Sequence, residues 1–153
     1  MIKSKSLSNY KNISHAFFGK KGGYSKGIYQ SMNCGLGSRD KKNNVKKNII
    51  EVCKKIKCKK NNLILLNQIH SSKYYLINNI DKLKNKRKKL SGDAIITNLK
   101  GIALGILTAD CAPIFIYDSK LKIISAVHSG WRGSLKGITE KVLDYLIKKG
   151  SEK

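Results

Sequence analysis

The sequence predicts an α/β domain with a mixed β-sheet core, and three observations lead there. Apolar, β-branched runs at Ile102–Leu107, Ile114–Tyr117 and Ile123–Val127 are too short for helices and are bounded by turn residues, the mark of buried strands. Val45, Ile49, Val52 and Ile56 recur at helical spacing, and Leu135, Ile138, Val142 and Tyr145 or Leu146 repeat the pattern, so each stretch buries one face of a helix. The 153 residues suffice for one domain with its own core.

Taken in order, Ile13–Phe18 reads as a short first strand, and the turn-rich stretch after it holds Gly19, Gly22, Gly23 and Gly27. Such a loop can approach a ligand closely; Lys20 and Lys21 then meet an anionic group, or else the segment is a plain hairpin with solvated lysines. Asp40 is the expected N-cap of the first long helix, whose apolar stripe Cys53 widens. Leu63–Leu66 reads as a strand with His70 just past its end, and Tyr74–Ile77 as another. Asp81–Leu90 is a charge run with little to bury, expected as a solvated loop. A strand follows Gly92. Asp118–Leu121 then joins two runs into a hairpin, with Tyr117 expected opposite Lys122, Pro113 opposite Ala126 and Cys111 opposite His128. Ser134 is the expected cap of a final helix that Gly150 ends.

Charge and composition restrict the function classes. The 32 basic and 9 acidic residues give a formal charge of +23, which alone suggests a polyanionic partner. Only Arg39, Arg87 and Arg132 are arginines, the lysines are spread over nearly every segment, and no nucleic-acid motif accompanies them, so specific nucleic-acid binding is not expected. No run approaches the roughly 20 apolar residues of a membrane span, and the N-terminus lacks the apolar core of a secretory signal. Cys34, Cys53, Cys58 and Cys111 have no disulfide-framework spacing, which suits a reducing, cytoplasmic setting.

The expected hairpin register sets a thiolate beside an imidazole, close enough to share a metal ion, and His70 offers a third donor. Zinc sites that do chemistry usually keep three protein ligands and an open fourth position. The alternative is plainer: Cys111 as a small buried hydrophobe and each histidine satisfying a backbone group. His15 reads as structural.

The segments T-A-D-C-A-P-I, A-V-H-S-G-W-R-G, N-Q-I-H-S, G-D-A-I-I-T and the stretch Phe17–Gly35 resemble the signature segments of the YfiH-type family, long labelled multicopper polyphenol oxidase or laccase domain. Its members are described as zinc-dependent purine nucleoside phosphorylases with adenosine deaminase side activity, and some as peptidoglycan editing factors. The resemblance implies a layered fold with helices outside the sheet, and zinc held by His70, Cys111 and His128. It also implies a pocket lined by Asn33, Asp93 and the Gly130–Gly133 turn. In that pocket Asp93 is the expected acid/base, with Asn33 and Arg132 as further catalytic residues. Lys20, Asn33 and Arg132 are expected to bind substrate or phosphate. Asp93 reads equally as a turn carboxylate, and Trp131 either stacks on a base or closes the core. Lys20 stands where the family commonly has Arg, keeping the charge but losing the bidentate fork. Members are typically much longer, so a chain lacking their C-terminal third is expected.

Two other activities compete with the nucleoside one. A peptidoglycan-precursor editing hydrolase would use the same metal, and an inactive zinc-binding fragment would turn nothing over. A complete multicopper site needs many more imidazoles than the three in these 153 residues.

Overall fold

A computed structural model describes residues 1–79 and 90–152, so of the expected loop at Asp81–Leu90 only Leu90 falls within the described residues. The chain divides into two compact units, Met1–Leu63 and Ile64–Lys153.

In the first unit, Ser4 caps α1 (Lys5–Ser8) through its side chain, and its own N–H donates to His15 Nε2 at 2.8 Å. The expected strand at Ile13–Phe18 is reduced to a single bridge between Ile2 and Phe17. The long helix α2 (Lys42–Lys55) buries Val45, Asn48, Ile49 and Cys53 as one stripe. Lys41, not Asp40, is its N-cap residue, because the Asp40 carboxylate is taken by the Asn33 side chain at 3.0 Å and by the Lys41 N–H at 2.7 Å.

Asn48 organises this unit and breaks the apolar reading of the helix. Fully buried, it accepts from Tyr24 N–H at 2.7 Å and donates to Ser25 Oγ, Ser31 O and Asn33 O at 2.9, 3.1 and 2.8 Å. One amide therefore satisfies the backbone of the glycine-rich loop, which has no sheet ladder of its own to do so. Gly23 is required there, since a Cβ would come within 2.1 Å of Ser31 O.

The second unit carries the sheet. β2 (Tyr74–Ile77), β3 (Ala94–Thr97), β5 (Ala112–Asp118) and β6 (Ile123–Ser129) lie in the order β2-β3-β6-β5, with β2 parallel to β3 and the other pairs antiparallel. The sheet is therefore mixed, as expected. A second, two-stranded sheet pairs β1 (Leu63–Leu65) with β4 (Ala103–Gly105). Period-two alternation feeds two cores: Ala94 and Ile96 join Val127 and the helical residues Ile138, Val142 and Leu146, while Ile95 joins Ile64, Leu66 and Ile77.

Two expectations are corrected. The hairpin register slips by two residues: Tyr117 faces Ile124, Pro113 faces His128, and the turn is Ser119–Lys122. Asp118 stays in the strand because its carboxylate accepts Leu121 N–H at 2.6 Å and closes the turn from its base. The final helix is two helices, α3 (Trp131–Leu135) and α4 (Ile138–Lys148), because Gly137 adopts φ +68° between them. Leu135 is consequently 83% exposed and leaves the stripe of Ile138, Val142 and Leu146, and Ser134 lies inside α3 instead of capping a helix.

Truncating Asn48 to Ala would remove four hydrogen bonds at once and leave Tyr24 N–H and Asn33 O without their Asn48 partner. Chemical denaturation is expected to show a loss of about 2 to 4 kcal/mol of stability; an unchanged midpoint would contradict the anchoring role.

Candidate metal centre

At one end of the sheet four segments converge: the loop after β1, the start of β3, the entry to β5 and the end of β6. They carry His70, Asp93, Cys111 and His128. The ligand atoms of His70, Cys111 and His128 all lie within 4.8 Å of one another. Cys111 Sγ is 3.7 Å from His70 Nε2, and the imidazoles meet edge to face with centroids 4.9 Å apart. Two ligands of a tetrahedral zinc, one sulfur and one nitrogen, stand about 3.5 Å apart, so this spacing fits a shared ion. Because Cys111 precedes the pair Ala112–Ser129, it reaches His128 diagonally and not from directly opposite. A slip of two residues keeps every side chain on its face, which is why the convergence survives the changed register.

Asp93 lies behind the donors with 0% of its surface exposed. Oδ1 accepts from His128 Nδ1 at 2.8 Å, from His70 N–H at 3.0 Å and from Ile69 N–H at 3.2 Å. Oδ2 accepts from Ser71 N–H at 2.6 Å and Ser71 Oγ at 2.7 Å. Burial pushes this carboxyl up, but the bonds from His128, Ser71 and His70 outweigh it and hold the group below its ordinary range. A carboxylate in this state only accepts, so His128 carries its proton on Nδ1 and keeps the Nε2 lone pair for a metal. The expected exchange of a proton between Asp93 and substrate is not what a sealed, fully engaged carboxylate offers.

His70 itself sits at φ +56°, an uncommon conformation for a non-glycine residue. The three successive N–H groups donated to Asp93 hold it there. The same loop reaches the Cys111 segment: the Gln68 side chain donates to Leu107 O at 2.7 Å and accepts Leu107 N–H at 2.8 Å, fixing the chain four residues before the thiol. Burial, then the Asp110 carboxylate 3.8 Å away, raise the Cys111 thiol above its usual value; a bound cation would reverse that balance. Gly130 seals one flank, since a Cβ there would lie 2.8 Å from Cys111 Sγ and 2.9 Å from His70 Cδ2.

The other expected site residues are placed differently. Trp131 is 71% exposed, so it does not close the core, and the exposed Arg132 lays its guanidinium 5.0 Å from the indole. Lys20 and Asn33 belong to the first unit. There the Asn33 side chain is committed to Ser38, Asp40 and Gly35, and the Lys20 carbonyl accepts from Ser31 and Met32. The supporting roles of Gln68 and Ser71 were missed, although both lie in N-Q-I-H-S, because their partners are more than 20 positions away in sequence.

Two imidazoles and a thiol gathered at a sheet end, one of the imidazoles exposed, form a group that could hold a metal ion. The chain belongs to the family described as multi-copper polyphenol oxidoreductase laccase, whose profile matches residues 14–153. It is 36% identical over 147 residues to a purine nucleoside phosphorylase of Bacteroides thetaiotaomicron, an alignment covering 94% of this chain and 54% of that protein. It is 33% identical over 93 residues to adenosine deaminase RL5 of an unknown prokaryotic organism, covering 58% and 36%. The crystal structure of the Bacillus licheniformis hypothetical protein YfiH superposes with a TM-score of 0.79 at 26% identity, over 86% of this chain and 51% of that one. The chain thus spans about half the length of relatives that it matches nearly end to end.

Because the Asp93 carboxyl is held below its unfolded value, its contribution to stability is present above about pH 4 and is lost as pH falls through the folded value. Urea midpoints measured without metal between pH 7 and pH 3 should therefore fall at the acid end. In Asp93→Asn the midpoint should be lower at pH 7 and the acid loss shallower; parallel curves for the two proteins would contradict this.

Proposed function

We propose that this chain is a zinc-dependent enzyme acting on purine nucleosides. Its reaction is phosphorolysis of adenosine or inosine to the free base and ribose 1-phosphate. The observation that carries the reading is the three-donor group of His70, Cys111 and His128, with one side left open. Two neutral nitrogens and one thiolate suit zinc, and three protein ligands are the number that catalytic zinc keeps. Bound zinc would supply Lewis acidity able to polarise an oxygen of substrate, phosphate or water.

The protein's own groups supply the rest. Asp93 holds His128 in the Nε2-binding tautomer. Arg132, exposed two positions after Gly130, is a charge-assisted partner for phosphate, and Trp131 offers an unburied aromatic face to a purine. No helix among the described residues is long and apolar enough to cross a membrane.

A second reading, hydrolytic deamination of adenosine, is favoured by the deaminase-named relative. It needs water but not phosphate, which separates the two. Adenosine incubated with the zinc-loaded chain should yield adenine only when phosphate is added. Inosine appearing without phosphate would favour deamination, and no conversion of either kind would remove the nucleoside reading for this chain.

Metal content provides a second check. The purified protein should hold about one zinc per chain, and Cys111→Ala should lose it. Gly130→Ala should weaken binding at least about tenfold by driving a methyl group between Cys111 and His70. Full zinc occupancy in both variants would show that these residues do not form the site.

A further inference from the structure

We infer that Asp93 is the positioning residue of the metal centre, one carboxylate that sets the geometry of two of the three ligands at once; this rests on the zinc reading above. The two histidines come from chain segments 58 positions apart, His128 buried in β6 and His70 exposed on a loop. His70 is exposed and sits at φ +56°, a conformation with little intrinsic preference. What holds it is the convergence of the Ile69, His70 and Ser71 N–H groups on Asp93, a concave backbone nest filled by an internal anion. The same carboxylate takes the Nδ1 proton of His128.

The anchor is itself fixed. Asp93 N–H donates to Lys73 O at 2.8 Å and Asp93 O accepts His128 N–H at 2.7 Å, so its backbone is locked to both neighbouring segments. Its side chain has no exposed surface and receives five donors, so it has no oxygen left for substrate. Cys111 is held from another side, at the entry to β5 beside the Ala112–Ser129 pair, although Gln68 also links its segment at Leu107 to the loop that carries His70. Loss of Asp93 should therefore disturb the two nitrogen ligands and leave the sulfur ligand in place, a signature that general destabilisation would not produce.

Cobalt(II) titration of the metal-free full chain reads this directly, since cobalt reports nitrogen geometry through its visible ligand-field bands and the thiolate through a near-ultraviolet charge-transfer band. For Asp93→Asn we expect affinity about 10- to 100-fold weaker, altered visible bands and a retained thiolate band. Ser71→Ala, which removes one hydroxyl donor and no ligand, should show a smaller loss in the same direction and serves if Asp93→Asn does not fold. Wild-type affinity and bands in folded Asp93→Asn, or in Ser71→Ala where only that variant folds, would overturn the positioning role. So would a lowered melting temperature with an unchanged cobalt spectrum. A wild-type chain that binds neither cobalt nor zinc would overturn the zinc reading and this inference together, whereas normal wild-type binding with unaffected variants would remove this inference alone.

Discussion

A charge buried at the end of a sheet must be fully hydrogen-bonded or it unfolds its surroundings, and Asp93 imposes that constraint on the second unit. Its five donors come from the loop after β1 and from the end of β6, so satisfying one carboxylate closes that end of the sheet. Ile95, one residue away from the carboxylate's neighbour Ala94, is completely buried among Ile64, Leu66 and Ile77, and this apolar packing keeps water from the anion. Packing and polar satisfaction are thus coupled: the core makes the charge expensive, and the charge makes the loop carrying His70 adopt one conformation.

The strands were legible in the sequence because β-branched runs bounded by turns have few alternatives. Tyr74–Ile77 has the bounds expected of it, while β5 and β6 extend two residues beyond theirs toward the metal centre. Register was less legible. It depended on whether Asp118 ended the strand or began the turn, and that was decided by its hydrogen bond to Leu121 N–H, which apolar patterning does not encode. The break at Gly137 was hidden for a similar reason: Leu135 and Ile138 stand at helical spacing, and only the backbone's left-handed step separates them. In the first unit the surprise was Asn48, a polar residue at the centre of an apolar stripe, placed there by a loop whose carbonyls have no strand to pair with.

For the site, the sequence singles out the three side chains that the fold gathers and does not reveal what supports them. His70, Cys111 and His128 are few, chemically distinctive and close to strand ends, so they could be singled out without knowing how they are held. Asp93 enters through the family resemblance as the expected acid/base, or equally as a turn carboxylate, whereas the number of donors around it is set by the tertiary fold. Gln68 carries no charge at all, and its reciprocal pair with Leu107 spans 39 positions. Gly130 shows the converse case. Its lack of a side chain is visible in the sequence, while the reason, the space claimed by a sulfur and an imidazole, is not.

The family's oxidase description invites a copper reading, and the donor inventory bears on it. Two imidazoles and a thiolate also describe a mononuclear blue-copper set, but oxidation of phenols coupled to oxygen reduction needs further coppers with imidazoles of their own. The chain's third histidine is His15, in the first unit, where its Nε2 accepts the Ser4 N–H and helps seat α1. No imidazole within these residues is left to build a second centre. The same donors ask nothing more of zinc, which has no redox role and no preferred geometry beyond four ligands. With His128 held in the Nε2-binding tautomer by a buried carboxylate, the His70 backbone fixed by the same group and Cys111 at the entry to β5, the three donors are suited to keep one metal ion in one place.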